Sequence, residues 1–125
     1  MRALLDTHIL IWLMEDDPRL SADGRQRIVG AEELFVSSAS IWEIAIKVGI
    51  GKMRIDVERL LLRMAQTDIH ELPVANRHAK AVASLPRLHR DPFDRLLVAQ
   101  AMVESMHMLT ADPHLAAYSA LVVTI

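Results

Sequence analysis

The chain has no cysteine, which excludes disulfides and thiolate metal sites, zinc fingers among them, and fits a reducing compartment. Basic charge is not in excess either. Fourteen Lys and Arg against 16 Asp and Glu give a formal net charge of -2, so no global field advertises nucleic-acid binding and any such contact must use a local patch. Long apolar runs are also missing. After Asp6, Thr7 and His8 the first one lasts only from Ile9 to Met14, too short for a membrane span and without a small-residue cleavage site. A soluble, cytoplasmic protein with no membrane contact is expected. No stretch is low-complexity or repetitive, and the six histidines show no helical pairing with acids that would demand zinc.

What the chain does have is apolar bulk. Hydrophobic residues make up 52% of 125 residues and mean hydropathy is +0.22, enough for one sizeable core in a single domain spanning residues 1–125. The excess predicts that some apolar surface is covered by self-association or a partner.

Short apolar runs alternate with longer amphipathic ones. Strands are expected at Ala3 to Leu5, Leu34 to Ser37, Ile69 to Leu72, His107 to Thr110 and Leu121 to Thr124. Helices are expected at Thr7 to Met14, from a Ser21 cap to Gly30, Ser38 to Gly49, Asp56 to Gln66, Ala75 to Ser84 and Asp91 to Met106, with a short one after Asp112. Ile41, Trp42, Ala45, Ile46 and Val48 would face inward on one helix, and Val57, Leu60, Leu61 and Met64 on the next. The pattern reads as α/β: a central, mainly parallel five-stranded sheet with helices on both faces. Ligands in such folds bind beyond the carboxyl ends of the strands, where strand order reverses.

Four acids occupy such places. Asp6 closes the first strand, Glu43 lies early in the helix after the second, Asp94 follows the basic loop PRLHR, and Asp112 stands just past the fourth strand in LTADPHL. If the first and fourth strands are neighbours, the four carboxylates converge, and like charges in one cleft require a cation between them. An oxygen-only cage suits Mg2+ or Mn2+. Helix capping is the competing account. Ser40 and Glu43 have capping-box spacing, Asp91-Pro92-Phe93-Asp94 reads as a cap, a proline and a first-turn acid, and Asp112 precedes Pro113. Asp6 resists that account best, because it follows directly on Leu4 and Leu5, where an unpaired charge is costly.

The stretches LLDTHILIW, SSASIWEIAIKVGIGK, HRDPFDRLLVAQA and LTADPHL, in this order and covering most of the chain, resemble a PIN domain, in particular the VapC-type toxins of bacterial toxin-antitoxin systems. The resemblance implies a PIN-like three-layer α/β fold and a Mg2+- or Mn2+-dependent endoribonuclease, usually a homodimer, inhibited by a cognate VapB-type antitoxin. By motif, Asp6, Glu43, Asp94 and Asp112 match the four family acids in order. Thr110 matches the hydroxyl residue beside the fourth, and Asp91 the extra acid of the RDPFDR subgroup.

The chemistry so implied needs metal to offset charge on the phosphodiester and to lower the pKa of a bound water. Asp6, Asp94 and Asp112 would bind metal directly or through water, while Glu43 holds a second ion or orients the attacking water. Lys47, four residues after Glu43, is placed for a helical ion pair with it or for a phosphate contact. Arg87, His89, Arg90 and Arg95 form either the basic rim for RNA or the neutralising partners of Asp91 and Asp94. His8 reads as packing or as support behind the site. Trp12, Trp42 and Met102 read as core or dimer contacts. Two other functions stay open: a non-catalytic PIN-fold module binding RNA or protein with its acids as caps, and a receiver-like phosphoacceptor domain, against which the middle strands carry no suitable aspartate.

Overall fold

The computed structural model describes residues 1–125. Five short strands, β1 (Arg2–Leu5), β2 (Glu33–Ser37), β3 (Ile69–Leu72), β4 (His107–Thr110) and β5 (Val122–Thr124), form one sheet in the order β3-β2-β1-β4-β5. Every neighbouring pair is parallel, so the sheet is wholly rather than mainly parallel. Parallel neighbours require crossovers, supplied by α1 (Thr7–Met14) and α2 (Ala22–Val29), α3 (Ser38–Gly49) and α4 (Val57–Gln66), α5 (Asn76–Val82) and α6 (Pro92–Glu104), and a 3₁₀ turn (Pro113–Tyr118). The order reverses at β1, which pairs with β2 on one side and β4 on the other.

Strand alternation divides the core between the two faces. Ala3 and Leu5 of β1 join Ile9, Leu10, Ile28, Ile44, Leu60 and Met64 from α1 to α4. Leu4 points the other way, to Leu97, Val98 and Ala101 of α6 and to Leu115 and Tyr118. Both faces are thereby covered, which accounts for the near-continuous apolar strands.

Helix starts follow the capping chemistry with one correction. Asp91 caps α6, accepting from the Phe93 and Asp94 amides at 2.8 and 3.2 Å, with Pro92 in the first turn. On α3, however, the Ser40–Glu43 capping box does not form. Ser37, the last residue of β2, is the cap and accepts from the Ala39 amide at 3.0 Å, so strand runs directly into helix and Ser40 and Glu43 lie inside it. The inward face shifts with it: Ala39, Ser40, Glu43 and Ile44 are buried, Ile41 and Val48 are half-buried and Ala45 exposed. Trp42 is 63% and Ile46 40% exposed. On α4, Leu60 and Met64 are buried as expected and Leu61 is exposed.

α6 ends on Ser105 in the left-handed conformation, φ 53° and ψ 44°, a geometry that suits glycine. Ser105→Gly is expected to stabilise the protein by about 0.5–1 kcal/mol, measurable as a rise in the urea midpoint at unchanged slope.

Candidate active site

The edge carrying the carboxyl ends of β1 and β4 gathers the acids. The Asp6 amide donates to the Leu109 carbonyl at 2.9 Å, continuing the β1–β4 pairing one residue past the strand. Its side chain is thus fixed by backbone, at the place where the strand order reverses. The carboxylate accepts from the Thr7 amide and from Thr110 Oγ1, both at 2.7 Å. Burial raises its pKa, and these two hydrogen bonds only partly offset that effect. Thr110 Oγ1 also accepts from the Asp112 amide at 3.1 Å, joining the ends of β1 and β4 through one hydroxyl.

Glu43 reaches the same edge from α3. Thr7 Oγ1 donates to Glu43 Oε1 at 2.8 Å and lies 2.9 Å from Ser40 Oγ. Lys47 Nζ is 3.1 Å from the other carboxylate oxygen, which is the expected helical pair. Both oxygens are engaged, so the orientation of Glu43 is set.

Asp112 caps the 3₁₀ turn. Its Oδ1 accepts from the His114 amide at 2.9 Å and meets His114 Nδ1 at 3.0 Å, while Oδ2 is 3.2 Å from His89 Nε2. Partial burial works against its charge, but the bonds from the His114 backbone and ring and from His89 outweigh it and hold the carboxyl below its usual range.

Asp94 differs from the other three. No protein group donates a hydrogen bond to its side chain, and the His89 ring stands off at 3.7 Å from Nε2. Burial first, then the charges of Asp6, Asp91, Glu43 and Asp112, push its pKa up to about 7. A carboxylate in this position gains more than any other from a nearby positive charge.

Asp94 and Asp112 bring carboxylate oxygens close together, and Asp6 and Glu43 add their charge to the same edge. Hard divalent cations take oxygen ligands of this kind, so the residues present fit a divalent metal.

Other site residues sort differently. Asp91 is a helix cap whose charge bears on Asp94. Arg95 also has partners within the protein. It donates to the carbonyls of Pro86 at 2.9 Å and Val82 at 3.3 Å and to Tyr118 Oη at 3.2 Å, clamping the loop before α6. Arg87 and Arg90 are exposed, make no ion pair with Asp91 or Asp94, and line with His89 and Arg95 a groove of about 470 Å³ that contains no apolar side chain. The exposed His8 ring packs near Trp12, at 6.2 Å between centroids. Sequence reasoning missed Thr7 and Ser40 as the hydroxyls behind Glu43, though Thr7 directly follows Asp6. Of the two roles weighed for His89, the neutralising one fits its place beside Asp94, and its contact with Asp112 was not foreseen.

Residues 3–121 match the PIN domain family. Over 114 residues, covering 90% of this chain and 88% of the other, the sequence is 28% identical to "Ribonuclease VapC22" of Mycobacterium tuberculosis. Among solved structures, VapBC2 from Rickettsia felis bound to a DNA fragment from its promoter aligns with a TM-score of 0.71 at 15% identity, covering 98% of this chain and 96% of that one. A toxin-antitoxin complex from Klebsiella pneumoniae aligns at 0.68 and 20% identity, with the same coverage. Helices on both faces of a parallel sheet, acids gathered where its order reverses, and a family match over nearly the whole length lead to one assignment: the chain belongs to the PIN domain family.

Proposed function

We propose that the protein is a Mg2+- or Mn2+-dependent endoribonuclease and the toxin of a toxin-antitoxin pair, held inactive by a cognate VapB-type antitoxin. The observation that carries this reading is Asp94, a partly buried carboxylate with no protein donor, close to Asp112 and under the charge of Asp6, Asp91 and Glu43 as well. Asp6, Asp94 and Asp112 would hold the cation, directly or through water. When bound, the ion supplies charge neutralisation at the phosphodiester and a water of lowered pKa. Glu43, its oxygens fixed by Thr7 and Lys47, would orient the attacking water or hold a second ion. Arg87 and Arg90, exposed beside the acids, supply the local positive surface that a chain of net charge -2 otherwise lacks. The exposed apolar side chains Trp42, Ile46, Ile50 and Met102 supply surface for the expected homodimer.

The non-catalytic binding module has one observation in its favour, because Asp6, Asp91 and Asp112 do cap helices or turns. Asp94 and Glu43 cap nothing, and that reading leaves their convergence on the others without a purpose.

The test is incubation of antitoxin-free protein with total RNA in Mg2+, Mn2+ or EDTA, with Asp6→Asn alongside. Discrete fragments that require both metal and Asp6 are expected. Cleavage persisting in EDTA or in the variant overturns the assignment. For the basic groove, Arg87→Ala combined with Arg90→Ala should raise KM about 5–20-fold and flatten the salt dependence of RNA binding by about one to two charges, read from the slope of log Kd against log salt.

A further inference from the structure

His89, Asp94 and Asp112 offer ligand atoms that all lie within 4.8 Å of one another, an arrangement that invites reading the imidazole as a metal ligand. The hydrogen bonds argue otherwise. His89 Nδ1 accepts from the Asp91 amide at 3.1 Å. With that nitrogen used as an acceptor, the ring proton of the neutral imidazole resides on Nε2, and Nε2 is the atom facing Asp112 Oδ2 at 3.2 Å and Asp94 Oδ2 at 3.7 Å. Ligation through Nε2 would move the proton to Nδ1, where it would oppose the Asp91 N–H.

The ring's position is also built in. The His89 amide donates to Tyr118 Oη at 2.8 Å, and Tyr118 Oη accepts from Arg95 Nη1 at 3.2 Å, while Arg95 grips the carbonyls of Val82 and Pro86. A loop with no regular structure is thus held at both the backbone and the ring, and its one product at the acidic edge is an N–H aimed between two carboxylates from different elements.

We propose that His89 is a positioning residue, a fixed hydrogen-bond donor that holds Asp112 at its working distance from Asp94 and does not itself ligate the metal. The inference rests on the divalent-metal reading of the acidic cluster. Groups that orient ligands in this way typically affect metal affinity by about 10–100-fold.

Mn2+ serves as the probe, with the parent protein, His89→Ala and His89→Gln, whose amide nitrogen can reach the place of Nε2. Calorimetric titration of Mn2+ should show affinity falling about 10–100-fold in His89→Ala and returning to within about threefold of the parent in His89→Gln. Electron spin echo spectra of the Mn2+-loaded parent should contain no imidazole nitrogen coupling. Such coupling in the parent, lost in His89→Gln, overturns the proposal and makes His89 a ligand. Equal affinity in the parent and His89→Ala overturns it as well. A parent spectrum without imidazole coupling excludes ligation by His89 even if a variant fails to fold. A folded parent that binds no Mn2+ refutes the metal reading itself, an outcome distinct from a parent that binds Mn2+ with nitrogen coupling.

Discussion

Asp94→Asn is expected to lower the rate of RNA cleavage in Mg2+ by about 10³-fold or more while leaving the protein folded. The size follows from what the carboxylate would do, since removing a single electrostatic contact to a developing charge in other enzymes costs about 10²–10³-fold, and here the anchor of the cation itself is neutralised. Preservation of the fold follows from the local structure. Asp91, not Asp94, caps α6, Pro92 starts the helix, and the Asp94 carboxylate accepts no hydrogen bond that the amide would break. Initial rates on a short RNA that the parent cuts, with circular dichroism to confirm folding, check the expectation. A loss of activity accompanied by unfolding would instead make Asp94 a structural residue.

The same substitution is expected to stabilise the metal-free protein, and the effect should depend on pH. An aspartate in the unfolded chain loses its proton near the ordinary value of 3.8, whereas folded Asp94 keeps it until about pH 7. The folded state therefore binds more protons across that window, and the stability associated with Asp94 is fully present below about pH 4 and is lost as pH rises through about 7. Three pH units correspond to about 4 kcal/mol for a fully shielded group. With a fifth of the side chain exposed, solvent screening reduces this to about 2 kcal/mol. Metal-free Asp94→Asn should match the parent near pH 4 and melt about 8 °C above it at pH 8. Mn2+ should reverse the order, because a ligand at a hundred times its Kd adds about 2.7 kcal/mol to the state that binds it. Scanning calorimetry in EDTA and in Mn2+ at both pH values measures both effects. A pH-independent difference between the two proteins would show that Asp94 does not sit among uncompensated charges.

The architecture was legible in the chain because its strands are short apolar runs and its crossovers are amphipathic. Asp6 and Asp112 stand just past β1 and β4, at the edge that the rule for open parallel sheets singles out. The errors cluster where the site distorts the ordinary pattern. On α3 a hydrophobic periodicity was assumed to face inward, but the wall of the site is polar. Ser40 and Glu43 are buried against Thr7 while Trp42 is exposed, edge to face with Phe93 at 5.4 Å between centroids. The capping box failed for a related reason, because β2 passes into α3 without a loop and Ser37 takes the cap three residues early. Arg95 and His89 were read as members of a basic run. Their partners, Tyr118 and Asp112, lie more than 20 residues away, and neither composition nor spacing records such loop packing. His78 was missed too: it is wholly buried and accepts from the Ala75 amide at 2.9 Å, a helix-start role that an alanine at the cap position does not advertise.

A divalent-metal site anchored by Asp94 among Asp6, Glu43 and Asp112 has one consequence in solution, the exchange of a proton for the ion. Calorimetric titration of Mn2+ at pH 6, repeated in buffers of different ionisation enthalpy, tests it most directly, since metal binding must displace the proton that Asp94 retains there. The prediction is binding with release of about one proton per Mn2+, with both the affinity and the proton release sharply reduced in Asp94→Asn. Binding without proton release, or unchanged in the variant, would contradict the account.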